Sequence, residues 1–136
     1  MHRSLIRSAL AGATAAALWA VVEVPLSRVL DTGFTDVSLL GRCSGLRGRR
    51  GTAAGVVIHL VNGAAFGVAF AELGGRGARA GFAAAEIEGT VLWPMMRILD
   101  PQHFTKRVFA QEVITHGLFG VVLGLTIPRS AARATL

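Results

Sequence analysis

Apolar residues in this chain fall into long runs rather than into strand-like alternation, and the runs predict helices. The clearest is Thr52 to Ala71, TAAGVVIHLVNGAAFGVAFA, which carries no formal charge and only His59 and Asn62 as strongly polar side chains. At about 1.5 Å per residue such a stretch covers a hydrocarbon core of roughly 30 Å. A second run, Val113 to Ile127, repeats its grammar. His59, Gly63 and Gly67 stand four residues apart in the first, and His116, Gly120 and Gly124 do so in the second.

The pattern predicts four spans, at about 4–30, 51–73, 78–99 and 105–127. The first has the basic start and small residues of a signal peptide, but its apolar stretch runs past Trp19 to Leu30, so a retained span is expected. A basic Gly/Arg-rich loop at 31–50 follows it, with a short interfacial helix around Val37 to Leu40. The Gly74 to Gly81 stretch makes a tight turn, Asp100-Pro101 stops the third helix, and Pro128 ends the fourth before a short basic tail. Residues 1–136 form a single transmembrane domain.

The spans repeat in pairs. Gly12 aligns with Gly81 at an offset of 81 − 12 = 69, and Ala15, Ala16, Pro25, Arg28, Leu30 and Asp31 fall on Ala84, Ala85, Pro94, Arg97, Leu99 and Asp100. The second and fourth spans align at 116 − 59 = 57. Two spans per copy give both copies one orientation. The expected architecture is an all-α integral membrane four-helix bundle, two helical hairpins in a parallel pseudo-repeat. Small residues at four-residue spacing let helices approach in lipid, so Gly63, Gly67, Gly120 and Gly124 are expected to pack the second and fourth helices together.

Composition supports a membrane. At 136 residues, a hydrophobic content of 52% with mean hydropathy +0.55 exceeds what a soluble chain this small can hide. The net charge of +6 raises nucleic acid as a partner. The basic residues, however, lie between and beyond the apolar runs and no groove-reading module is present, so no nucleic-acid binding is expected. Arginine supplies 13 of the 14 basic residues, a usage associated with bacterial genomes of high GC content, and the expected location is the bacterial inner membrane. The single cysteine, Cys43, excludes an internal disulfide and a cysteine-based metal site.

Ionisable groups inside a span are costly and face protein or water. Glu23, His59, Asn62, Glu86, Arg97, Glu112 and His116 fall within reach of one polar seam, from the side of the first and third loops to about mid-membrane. On the third helix Glu86, Thr90, Trp93 and Arg97 share a face, and Glu88 lies about 200° from Glu86, toward a partner helix. Arg97 and Glu112, near the same turn, are expected to form an ion pair. The leading functional reading is transport of protons, ions or a small solute along this seam. An alternative is a structural or subunit protein whose polar residues hold helices together. A second alternative uses His59 and His116 as bis-histidine haem ligands; otherwise no cofactor and no metal is expected. No Ser-His-Asp or H-E-x-x-H pattern appears, so no catalytic residue is assigned and the chain is not read as an enzyme. The expected partners are the lipid bilayer and a second copy or another membrane helix.

In size, number of spans and H-x-x-x-G helices the chain resembles small uncharacterised four-span bacterial membrane proteins, including those of the YagU type. That resemblance implies a membrane fold and brings no activity or functional residue with it.

Overall fold

The computed structural model describes residues 2–127, and every regular element among them is helical. They are α1 (His2–Val29), α2 (Asp36–Cys43), α3 (Gly48–Glu72), α4 (Gly77–Leu99) and α5 (Lys106–Thr126), with a short 3-10 turn at Pro101–His103. Pro128 and the basic tail lie outside the described residues. The long helices match the expected ones to within three residues at each end. Pro25 and Pro94 are carried inside α1 and α4 without ending them.

The loop expected at 31–50 contains a full helix of eight residues. Thr35 caps it, its side chain accepting from the Ser38 amide at 3.2 Å, and Asp36 stands in the first turn, where a negative charge is favoured. Asp31, Gly33, Gly45 and Gly48 all have positive φ and turn the chain sharply on either side of it. Val37 and Gly41 lie against Gly55 and Gly51 of α3. Leu39 closes a small apolar cluster with Phe34, Met96 and Val108. Arg42 reaches Asp100, which is 4% exposed and also bonded to Nδ1 of His103 at 2.9 Å. Thus α2 lies across one end of the long helices and touches several of them.

The two glycine stripes are not each other's partners, contrary to expectation. Gly63 and Gly67 of α3 meet Gly12 of α1, and Gly120 of α5 meets Gly81 of α4, with Gly124 beside it. Ala16 and Ala85 occupy matching places, each with its Cβ close over the facing glycine, Gly63 and Gly120. The reason is that α1 and α4 also carry small residues at the crossing, so each pair closes until backbones touch, whereas nothing comparable faces the stripes across α3 and α5.

The remaining large contact is between α1 and α5, so the long helices stand in the order α3, α1, α5, α4. Their shared core is Ala11, Ala15, Ala16, Trp19, Phe70, Ala85, Phe119, Leu123 and Ile127. The outer helices α3 and α4 form no contact of that extent, which leaves a cleft between them floored by α1 and α5. Three helices, α1, α3 and α5, are long and apolar enough to cross a membrane. α4 has the length but concentrates Arg79, Glu86, Glu88 and Arg97.

Candidate functional site

The cleft has a volume of about 340 Å³. From α3 it receives His59, Asn62, Gly63 and Phe66, from α1 Ala16 and Trp19, from α5 Phe109, Glu112, His116 and Phe119, and from α4 Glu86, Glu88, Leu92, Trp93, Met95 and Met96. Asp36, Leu39 and Leu40 of α2 close one end.

Its charge is one-sided. Asp36, Glu86, Glu88 and Glu112 line it, four of the eight acidic residues in the chain, and none of the described Lys or Arg residues does. Glu88 and Glu86 both reach the cleft although they lie far apart around α4. The line along which α4 meets α5 runs through Gly81, Ala85 and Gly89, between the two carboxylates. At about 100° per residue, Glu86 stands roughly 100° to one side of Ala85 and Glu88 about 60° to the other, so each leans in from its own flank. The expectation that Glu88 turns to a partner helix is therefore corrected: its Oε2 lies 3.3 Å from Nε2 of His116.

His116 is held at both nitrogens. Nδ1 lies 2.9 Å from the Glu112 carbonyl and 3.7 Å from the Glu112 carboxylate. Glu112 Oε1 and Glu86 Oε1 are buried without a hydrogen-bond partner. The expected Arg97–Glu112 ion pair does not form. Met96 takes the inward position on that turn of α4, and Arg97, about 100° further round, is exposed.

Glu23 sits behind the cleft and His59 on its wall, and both are bonded into the scaffold. Glu23 is fully buried; both its oxygens accept from the Asp36 amide at 3.0 Å, and Oε1 is also 3.4 Å from the donating Nε2 of Gln111. His59 lines the cleft, yet its Nε2 is 3.0 Å from the Ala16 carbonyl across the α1–α3 contact. Burial pushes the Asp36 carboxyl up from its ordinary range, and the nearby His116 and His59 only partly oppose this.

The arrangement does not suit bis-histidine haem. The Trp19 indole lies against both imidazoles, with ring centroids 5.0 Å from His59 and 4.5 Å from His116, so it fills the place where a planar macrocycle would need to lie. Glu23, Asp36 and Glu112 each bring one oxygen within 4.8 Å of the others and could hold a hard cation. Two of the groups that sequence reasoning passed over, Asp36 and Gln111, are polar neighbours of residues it did select or of an apolar stretch. Gln111 is fully buried beside Glu112, and a polar pair at that depth was the available signal.

No family model, curated protein or solved structure matches the chain.

Proposed function

We propose that the chain is a multi-pass membrane protein in which α4 crosses beside α1, α3 and α5, and that the cleft passes protons, ions or a small cationic solute. The observation that supports this is the gathering of four carboxylates, with a histidine suspended between two of them, on a cleft that none of the described Lys or Arg residues lines. Such groups are costly in a bilayer unless they face a polar path. His116, with Glu88 on one nitrogen and Glu112 on the other, is placed to hand a proton between carboxylates.

The parallel pseudo-repeat belongs to the same reading. It is supported by the matched closest approaches: Gly12 on Gly63 corresponds to Gly81 on Gly120, at the offsets 81 − 12 = 69 and 120 − 63 = 57. The likeness to YagU-type proteins in size and helix grammar is carried along with it.

The test is flux into liposomes carrying the purified protein and a pH-sensitive dye under an imposed potential. The expected result is a proton or cation flux that falls about a hundredfold or more in His116→Ala or Glu88→Gln, in the range of lost positioned proton transfer, and is unchanged in Glu72→Gln. Absence of flux for every cation tried would remove the transport reading. A second reading, that these residues hold helices together, is favoured by Glu23 and His59, whose hydrogen bonds tie α1 to α2, α5 and α3. It accounts for those two residues and leaves the cleft carboxylates without a role.

A further inference from the structure

We propose that the cleft is a binding site for a lipophilic organic cation, an ammonium carried on a compact apolar or aromatic body that enters from the membrane side between α3 and α4. This deepens the cation reading above and rests on its placing α4 in the membrane.

Four features converge on that class of ligand. The first is sign: the lining holds four carboxylates and, among the described residues, no Lys or Arg, so an anion is repelled and a cation drawn in. The second is unmet bonding capacity. Glu112 Oε1 is buried with no partner, and so is Oε1 of Glu86 on the α4 wall. Buried acceptors without partners are rare, and a bound cation is one thing that satisfies them. The third is the walls, where Trp19, Phe66, Trp93 and Phe119 offer ring faces and edges around the acidic floor. An ammonium gains from a ring face as well as from a carboxylate.

The fourth is the mouth. Leu92 and Met95 line the cleft while being 44% and 50% exposed, so the entrance is apolar. A hydrated metal ion would shed water against aliphatic side chains there, whereas an amphiphilic amine would slide in from lipid. The volume of about 340 Å³ suits a compact organic molecule and is far more than a bare proton path needs. The metal-like triad is also partly committed, since both Glu23 oxygens already accept from Asp36.

The chain has two tryptophans, Trp19 and Trp93, and both line the cleft, so intrinsic fluorescence reads the site directly. The experiment titrates the full chain in detergent with benzyltrimethylammonium, with its uncharged carbon isostere neopentylbenzene, and with Mn²⁺. The expected result is a saturable fluorescence change with the ammonium alone. Its Kd should rise about tenfold or more in Glu88→Gln and in Glu112→Gln, as for loss of one partner of a desolvated charge pair. Far-ultraviolet circular dichroism checks both variants; if Glu112→Gln loses its helices, Glu88→Gln, whose side chain is 36% exposed, decides alone.

An equal response to the isostere would overturn the inference, leaving an apolar groove. So would saturation by Mn²⁺ without saturation by the ammonium, or an unchanged Kd in the variants. Proton flux in liposomes with no ammonium binding would overturn this inference and keep the transport reading. Ammonium binding without flux of any cation would keep this inference and remove that reading.

Discussion

Both carboxylate oxygens of Glu23 accept from the backbone N–H of Asp36, each at 3.0 Å. A fully buried side chain of α1 thereby supplies the first free amide of α2 with its acceptor, one that a helix start otherwise takes from water or a cap. The carboxylate also receives Gln111 from α5. Glu23→Ala leaves the Asp36 amide unpaired in a closed place, while Gln111 keeps the Phe34 carbonyl, and the expected cost is about 2 kcal/mol. Glu23→Gln keeps one acceptor oxygen and should cost less. Because α2 is the element released, trypsin should cut at Arg47, Arg49 or Arg50 faster in Glu23→Ala than in the parent chain. Equal nicking rates would show that α2 is held by its apolar contacts alone.

A Cβ added at Gly12 would run into the backbone of Gly63, and one added at Gly81 into the backbone of Gly120. Backbone cannot swing aside as a side chain does, so each helix pair must part. Gly12→Val and Gly81→Val are each expected to destabilise the detergent-solubilised protein by about 2–4 kcal/mol, at or above the usual range for overpacking. Ala80→Val, next in sequence and exposed, should change little. Melting curves of the three variants check this. A mild Gly81→Val beside a severe Gly12→Val would mean that the two crossings, alike in geometry, differ in how much stability they carry.

The long helices were legible because a span is a matter of length and hydropathy, and both are local. Pairing was not. The grammar shared by α3 and α5 marks two surfaces that approach something closely, and identity of pattern does not say that they approach each other; Gly12 and Gly81 were in view as aligned positions but not as the opposing surfaces. Of the residues expected on one seam, His59, Asn62, Glu86, Glu112 and His116 line one cleft. Arg97 failed because its neighbour Met96 takes the inward place, a choice between adjacent residues that periodicity resolves poorly near a helix end. Glu88 failed for a different reason: a long side chain can lean to either side of its backbone position, so an azimuth measured at the backbone does not settle where a carboxylate ends. The weight of α2 was hidden because an eight-residue helix leaves little hydropathy signal beside spans of more than twenty.

Asp36 gives the fold a pH dependence of defined sign. Burial raises its folded pKa above the unfolded value of about 3.9, so the folded state holds the proton more tightly. Its contribution to stability is fully present below that unfolded value and is lost as pH rises through the folded one. Melting temperature in detergent should therefore fall on going from about pH 4 toward neutrality. In Asp36→Asn the fall should be smaller, because the amide has no proton to lose. A slope equal to that of the parent would assign the pH dependence to other carboxylates.

The number of crossings is decided by α4, which has the length of a span but concentrates Arg79, Glu86, Glu88 and Arg97. Arg42 bonded to Asp100 places α2 and the turn after α4 at the same end of the molecule. Leu73, 88% exposed, stands at the other end of α3, just before α4 begins. If α4 crosses, the native Cys43 and a cysteine at His103→Cys face one side of the membrane and one at Leu73→Cys faces the other, the single cysteines being made in a Cys43→Ser background. A membrane-impermeant maleimide applied to intact cells and to inverted vesicles should label 43 and 103 together and 73 oppositely. Labelling of 73 and 103 from the same side would leave α1, α3 and α5 as the spans, with α4 packed on α5 and not crossing. In that case the acidic cleft would open to water instead of lipid, and an organic cation would no longer need an apolar body to reach it.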